Sequence, residues 1–499
     1  MPDRDPASSG SGAETPILPS RPREASRISA WADRFEVVVV GLGVAGGAAA
    51  IEAARAGART LVLERATRGG GATALSEGTI YFGGGTRVQK AAGFEDDLEK
   101  MMAHVRAAAG PSSDPEKVRL YCENSLDHFE FFCGIGVEFK DSFYSEKAIF
   151  PPTDDCLMFS GNEEAHPFSR ESPPVPRGHK PRREGPAGGY IIERMITTLG
   201  ELAVEVRNET RVETLVEDDD GRVVGVVARR GDEEIAIEAT RGVILTTGGF
   251  IMNRGMVEHF APDLARCRYP IGSEGCDGSG IRMGIGVGGA AINMHEGLMT
   301  TPWYPPASHV RGMIVNAQGQ RFINEDCYHG RVADAVMHKA DGRAYLIVDD
   351  ATYGKTMIPY EMVAVEETIE ALERSLGMPE GQLVHTVASY NRDAERGEDS
   401  LLHKAPKYLQ PLSQPPFAAL DLSVDKSLWA AFTLGGLDTR PTGEVLTVDG
   451  EVVPGLYAAG RASAGLTRSG RYYASGMSIG GSSFFGRLAG RTAAKAPPR

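Results

Sequence analysis

The apolar pattern becomes orderly at Phe35. Phe35-Glu-Val-Val-Val-Val40 is an almost unbroken β-branched run, as expected of a parallel strand covered on both faces. Gly41-Leu-Gly-Val-Ala-Gly46 follows, then an alanine-rich segment, Ala48–Ala56, that predicts a helix closed by Gly57. Thr60-Leu-Val-Leu-Glu64 is a second strand, so residues 35–64 predict one βαβ unit. Further on, 94–135 and 190–205 read as helices, and 140–190 as irregular chain rich in proline and aromatics. Arg211–Val227, with Asp218-Asp-Asp-Gly at its centre, reads as a β-meander. Gly242-Val-Ile-Leu-Thr-Thr-Gly-Gly249 is another buried strand ending in glycines.

From about 294 to 430 the texture changes towards helix, proline and aromatics, and the glycine-rich style returns at Gly435. The expected architecture is α/β: a Rossmann-like domain over 35–293 and 435–499, interrupted by an inserted α+β domain at 294–434. Residues 1–34, rich in Pro, Ser, Gly and Arg, predict a disordered leader.

Composition narrows the function. The 499 residues carry 53 Lys+Arg against 67 Asp+Glu, a formal charge of −14. That balance argues against a nucleic-acid partner, which needs a basic footprint. No apolar stretch reaches the roughly twenty residues of a membrane span, so no stable membrane insertion is expected. The six cysteines are widely spaced with no CxxC pair; they predict free thiols in a cytoplasmic protein, with no zinc site. Glycine is the outlier: 61 residues, about 12% against roughly 7% in average proteins.

Gly41, Gly43 and Gly46 form a GxGxxG turn between a strand and a helix, with Glu64 ending the next strand. The first glycine allows the tight turn, the second a close approach to a pyrophosphate, and the third helix–strand packing. The helix N-terminus favours phosphate, and Glu64 can accept from ribose hydroxyls. A second cluster, Gly69-Gly-Gly-Ala-Thr-Ala-Leu-Ser-Glu-Gly78, comes directly after.

With Leu245-Thr-Thr-Gly-Gly-Phe250, Cys276-Asp-Gly-Ser-Gly280, Gly319-Gln-Arg-Phe-Ile-Asn-Glu325, Pro454-Gly-Leu-Tyr-Ala-Ala-Gly460 and Gly476-Met-Ser-Ile-Gly480, the chain resembles the fumarate reductase/succinate dehydrogenase flavoproteins. The resemblance implies FAD. It implies contacts from Gly41, Gly43, Val44, Ala45, Gly46, Glu64, Arg65, Gly71, Ala72, Thr73, Ser76 and Gly78. It adds Val212, Thr247, Gly248, Asp277, Gly460, Ser475, Gly476, Ser478 and Ile479. Covalent attachment in that superfamily uses a histidine in the second glycine loop. Residues 69–78 have none, so the FAD is expected to be non-covalent. No second dinucleotide motif is present, which implies an external electron acceptor.

The fumarate reductases grip a dicarboxylate with arginines. Here the matching C-terminal stretch is Tyr473-Ala-Ser-Gly-Met477, and Asn324-Glu325 leads to Tyr328-His329-Gly-Arg331. Neutral hydroxyl donors stand where a charged fork would be, which suits a ketone oxygen better than a carboxylate. In these stretches, and in Gly71-Ala-Thr-Ala-Leu, Pro176-Arg-Gly-His179, Leu401-Leu-His-Lys404 and Ala431-Phe-Thr-Leu-Gly-Gly-Leu437, the chain closely resembles the bacterial 3-ketosteroid Δ4-(5α)-dehydrogenases. One departure is a doubled tyrosine, Tyr472-Tyr473, where that family has glycines before a single tyrosine.

The resemblance implies a 3-ketosteroid substrate and three catalytic residues. Tyr473 would donate to the ketone, Ser475 would receive the C4 proton, and Tyr328, as tyrosinate or relay, would accept it and pass it towards solvent. His179, His329 and Glu325 read as structural; Phe143, Tyr144, Phe150, Met158 and Phe159 read equally as pocket or local core. Three alternatives stand beside this reading: the reverse reduction of 3-oxo-4-ene steroids, a fumarate-reductase-like enoate reductase using Arg331 or Arg471, and a flavin-fold binding module without catalysis.

Overall fold

The computed structural model describes residues 18–304, 306–356 and 358–499. Among them the largest sheet has nine strands and is built around Asp33–Val40, the predicted first strand. It pairs in parallel with Thr60–Leu63 on one side and with Gly242–Leu245 on the other. The helix Val44–Arg55 crosses between the first two strands, and Gly57 beyond its end has φ of +87°. Val37–Val39 are wholly buried, as a run covered on both faces requires.

The strand before Thr246 is longer than the pattern indicated. Glu233–Leu245 is one strand with a bulge between Ala239 and Gly242. Its first half pairs antiparallel with Val223–Arg230 and its second half pairs parallel with Asp33–Val40 and Val452–Ala458. The polar first half hid its continuity with the apolar second half. The expected leader over 1–34 also needs correcting. Residues 1–17 lie outside the described residues, but Arg23–Glu24 adds a short parallel strand beside Arg211–Glu217, and Ser20 N–H donates to the Arg282 carbonyl. An edge strand held by main-chain bonds needs no hydrophobic alternation, so composition alone did not reveal it.

A separate four-stranded antiparallel sheet draws its strands from Met313–Asn316, Ala344–Asp349, Met362–Glu366 and Phe417–Asp421. A smaller sheet, Gly297–Thr300 with Ala430–Thr433 and Tyr269–Pro270, stands where the chain leaves and re-enters the large sheet. The closing helix, Met477–Lys495, returns to lie along Val44–Arg55. All six cysteines are free thiols, and no helix among the described residues is long and apolar enough to cross a membrane.

Several histidines are buried. His179 sits between the Thr86 hydroxyl and the Arg177 carbonyl, and burial pushes it down to about 4. Burial likewise lowers His329 to about 3 and holds His104 and His128 well below their usual range. Each is neutral when folded and takes a proton when unfolded below its ordinary value of roughly 6.5. The unfolded state therefore binds more protons, and stability declines as pH falls from about 6.5 towards 4. The expected result is a denaturation midpoint that drops steadily over that window. A flat profile would contradict it.

Candidate active site

All but four of the residues expected to hold cofactor or substrate line one cavity of about 410 Å³. The exceptions are Gly46, Gly78, Asp277 and Ser475, and each has a different position. A methyl on Gly46 would overlap the Gly41 carbonyl oxygen, so this glycine serves helix packing behind the wall. Gly78, at φ of +83°, would place a Cβ 2.6 Å from the Ala187–Gly188 peptide. Asp277 lies outside and grips Arg65, Oδ2 to Nη1 at 2.7 Å, while Arg65 itself lines the cavity. Ser475 is buried beside the wall: its N–H donates to the Ser160 carbonyl, and its hydroxyl lies against the carboxyl of Glu77.

One end of the cavity is built for a dinucleotide. Gly41 closes the first strand at φ of +98°, and Gly43 precedes the helix Val44–Arg55 without any side-chain cap, leaving N–H groups for an anion. A Cβ on Gly71 would stand 3.9 Å from the Gly43 Cα and begin to fill the groove between these two backbones. Glu64 accepts from the Leu42 and Ala66 N–H groups at 2.8 and 2.9 Å, which fixes its carboxylate on the wall. Thr73 accepts from Val44 N–H, and the buried Thr247 hydroxyl on the wall has no partner among the described residues. Ala45, Ala72, Ser76, Val212, Gly248, Gly460, Ser478 and Ile479 complete this lining, and Gly476 caps the last helix at φ of +89° where it meets the cavity. These residues fit FAD: two uncapped helix starts, a side-chain-free groove and a fixed carboxylate.

The other end is apolar with a few hydroxyls. Ile149, Leu298, Pro302, Ile358, Leu428 and Phe432 line it, together with Tyr328, Tyr473, Thr300 and His329. The rings of Tyr328 and Tyr473 lie 5.8 Å apart. The Tyr473 oxygen accepts from Ser478 N–H at 3.1 Å, and the Ser478 hydroxyl stands beside it, so a ketone here would compete with that hydroxyl for the phenol proton. Burial pushes both phenols up, Tyr328 well above its ordinary value, so each is held as a neutral donor. A standing Tyr328 tyrosinate, one of the two forms expected, is therefore disfavoured.

The doubled tyrosine is resolved by packing. Tyr473 lines the cavity, whereas Tyr472 covers Gly110 and stacks with Arg471. Arg471 is exposed, and Arg331 lies over Phe168 rather than on the cavity wall. Neither arginine is placed to grip a substrate carboxylate. The aromatic group at 140–160 forms a local cluster, with Phe143 and Phe159 both against Phe94, and only Ile149 of that segment reaches the cavity.

Sequence reasoning missed three contributors. Asn162 ties the two tyrosines together: Tyr328 N–H donates to its Oδ1 at 3.0 Å, and its Nδ2 donates to the Tyr473 carbonyl at 2.9 Å. His329, expected to be structural, lines the cavity with Nδ1 on Thr300 and Nε2 without a partner among the described residues. Glu77 lines the cavity although no cofactor motif singled it out. None had a local signal, since their neighbours come from distant parts of the chain. Glu325 is structural as expected, ion-paired with Arg321 at 2.8 Å.

Comparison with known proteins gives the family. Residues 36–477 match the FAD binding domain family. The 3-ketosteroid-Δ4-(5α)-dehydrogenase of Rhodococcus jostii RHA1, solved with 4-androstene-3,17-dione, is 44% identical. The match covers 95% of this chain and all of that one, with a TM-score of 0.91. The 3-oxo-5-alpha-steroid 4-dehydrogenase of Comamonas testosteroni is 27% identical over 86% of this chain and 93% of its own. The NADH:fumarate oxidoreductase of Klebsiella pneumoniae is also 27% identical, over 92% of this chain, but the chain spans only 48% of that protein's length. The chain belongs to the FAD binding domain family of flavin-dependent oxidoreductases and, within it, to the family of the Rhodococcus 3-ketosteroid-Δ4-(5α)-dehydrogenase.

Proposed function

We propose that this chain is a 3-oxosteroid 4-dehydrogenase, introducing the C4–C5 double bond into saturated 3-keto-5α-steroids. The observation that carries the reading is the Tyr473 hydroxyl, buried on an apolar cavity wall with its oxygen engaged by Ser478 N–H and a proton to donate into the cavity. A 3-ketone accepts that proton as a hydrogen bond, and the same contact strengthens as negative charge develops on the oxygen. The bound FAD supplies a hydride acceptor for C5. Tyr328, held 5.8 Å from Tyr473, and Ser475 flank the path by which the C4 proton leaves. The apolar side chains at this end cover a neutral ring system and exclude water. An external acceptor removes the electrons.

Anaerobic mixing of the flavin-loaded protein with 5α-androstane-3,17-dione tests the reading. Bleaching of the flavin with formation of the 4-ene is expected. No bleaching, with reduced flavin reoxidised by 3-oxo-4-ene steroids, would reverse the direction assigned. In either direction Arg331→Ala is expected to keep its activity, because Arg331 is off the cavity wall. Its loss would instead favour a carboxylate-binding enoate reductase.

A further inference from the structure

Removing a proton from C4 requires an acceptor, and the hydroxyl groups near the ketone are poor ones. Burial raises the Tyr328 and Tyr473 phenols, so neither is a standing base. His329 is neutral but held down to about 3, too weakly basic to retain the proton. Ser475 is an ordinary hydroxyl, which needs a base behind it. The cavity wall carries two carboxylates, Glu64 and Glu77. The oxygens of Glu64 are spent on Leu42 and Ala66 N–H groups at the nucleotide end.

Glu77 differs in every respect. It forms no ion pair among the described residues; the Ser475 hydroxyl and its own backbone N–H are what lie against its carboxyl. Tyr328 and Tyr473 stand close enough to feel its charge. The other ionisable groups on the wall are Arg461, which lies over Phe432, His329, the Cys276 thiol, and Arg65 and Arg211 at the nucleotide end. Its loop is held firmly: Ala187 N–H donates to the Glu77 carbonyl at 2.9 Å and Gly188 N–H to that of Ser76. Burial raises the Glu77 carboxyl, so it holds a proton more readily than an exposed glutamate does.

We propose that Glu77, on the cavity wall with Tyr328 and Tyr473, is the proton acceptor of the reaction. This deepens the steroid reading and rests on it. As the C4–H bond breaks, its proton forms an O–H bond at the Ser475–Glu77 pair and ends as the acid hydrogen of Glu77. The electron pair left at C4 becomes the C4=C5 double bond as the C5 hydride departs to the flavin. Accepting the proton also removes an unpaired charge from a wall that is apolar at this end, which favours the transfer. In the opposite direction Glu77 returns the proton to C4.

The test is Glu77→Gln in the flavin-loaded protein, mixed anaerobically with 5α-androstane-3,17-dione and its C4-deuterated form. Bleaching is expected to slow by roughly 100-fold or more, with flavin and steroid still bound. The acid limb of the rate–pH profile should vanish. Glu77→Asp should restore part of the rate with a displaced acid limb. Infrared titration of the wild type should show a protonated-carboxyl band that Glu77→Gln lacks. Unchanged bleaching and an unchanged acid limb in Glu77→Gln would overturn the proposal. Should the wild type bleach with no saturated 3-ketosteroid yet reduce 4-enes, Glu77→Gln must slow that reduction equally. A wild type inert in both directions would sink the steroid reading, and this inference with it.

Discussion

Tyr473→Phe is expected to lower steroid-dependent flavin reduction by roughly 10²–10³-fold, the range for losing one oxyanion donor. The substitution removes one oxygen and keeps the ring. The packing of Tyr473 against Phe432 and Tyr328 should therefore survive, and flavin content should be unchanged. The backbone N–H of Ser478 loses its acceptor, but it sits in the first turn of the last helix, where water or the cofactor can replace it. Because the lost contact strengthens as the ketone becomes an enolate, the deficit should fall on the rate of bleaching more than on steroid affinity. Tyr472→Phe is the control, expected to be silent because Tyr472 faces Gly110. Full activity in Tyr473→Phe would remove the main support for the ketone contact.

Arg321→Ala should destabilise the fold by about 3–5 kcal/mol, the cost of leaving buried charges uncompensated. Arg321 makes two bidentate pairs: Nε and Nη2 with Glu325 at 3.1 and 2.8 Å, and Nη1 and Nη2 with Asp399 at 3.1 and 3.0 Å. All three side chains are buried, and Lys404 reaches the same Glu325 at 3.3 Å. Burial alone would raise the Glu325 carboxyl, but Arg321 and Lys404 together hold it below its usual range. Removing Arg321 leaves two carboxylates for one ammonium. Arg321→Lys keeps a charge but cannot fork to both partners, so it should lie between wild type and alanine. The denaturation midpoint measures this. Glu325 is three residues before Tyr328, so turnover should fall in Arg321→Ala as well. A midpoint equal to wild type would mean that the cluster contributes nothing net.

The elements that carry the cofactor were legible because their requirements are local. A strand covered on both faces must be apolar without a break, as Val37–Val40 is. A turn that brings backbone against pyrophosphate must lack side chains, as at Gly41 and Gly43. The tyrosines Tyr328 and Tyr473, in place of arginines, were reached only through the resemblance to the flavoprotein family, not through their own spacing. The bulged strand Glu233–Leu245 and the edge strand Arg23–Glu24 were not legible, because their partners, rather than their own pattern, make them strands.

The amino-acid order by itself thus determined the cofactor class and the parallel βαβ core, and its resemblance to that family singled out the two tyrosines that meet at the substrate end. Tertiary structure decided between Tyr472 and Tyr473, turned Arg331 and Arg471 away from the cavity, and set Ser475 behind Glu77. It also supplied Asn162, which joins residues 328 and 473 through a segment whose own sequence predicts only irregular chain. The division has a physical cause. Phosphate binding and strand burial act over a few successive residues, whereas the apolar end of the cavity gathers side chains from residues 77, 328 and 473, with Asn162 behind them, and only the packed chain brings them together.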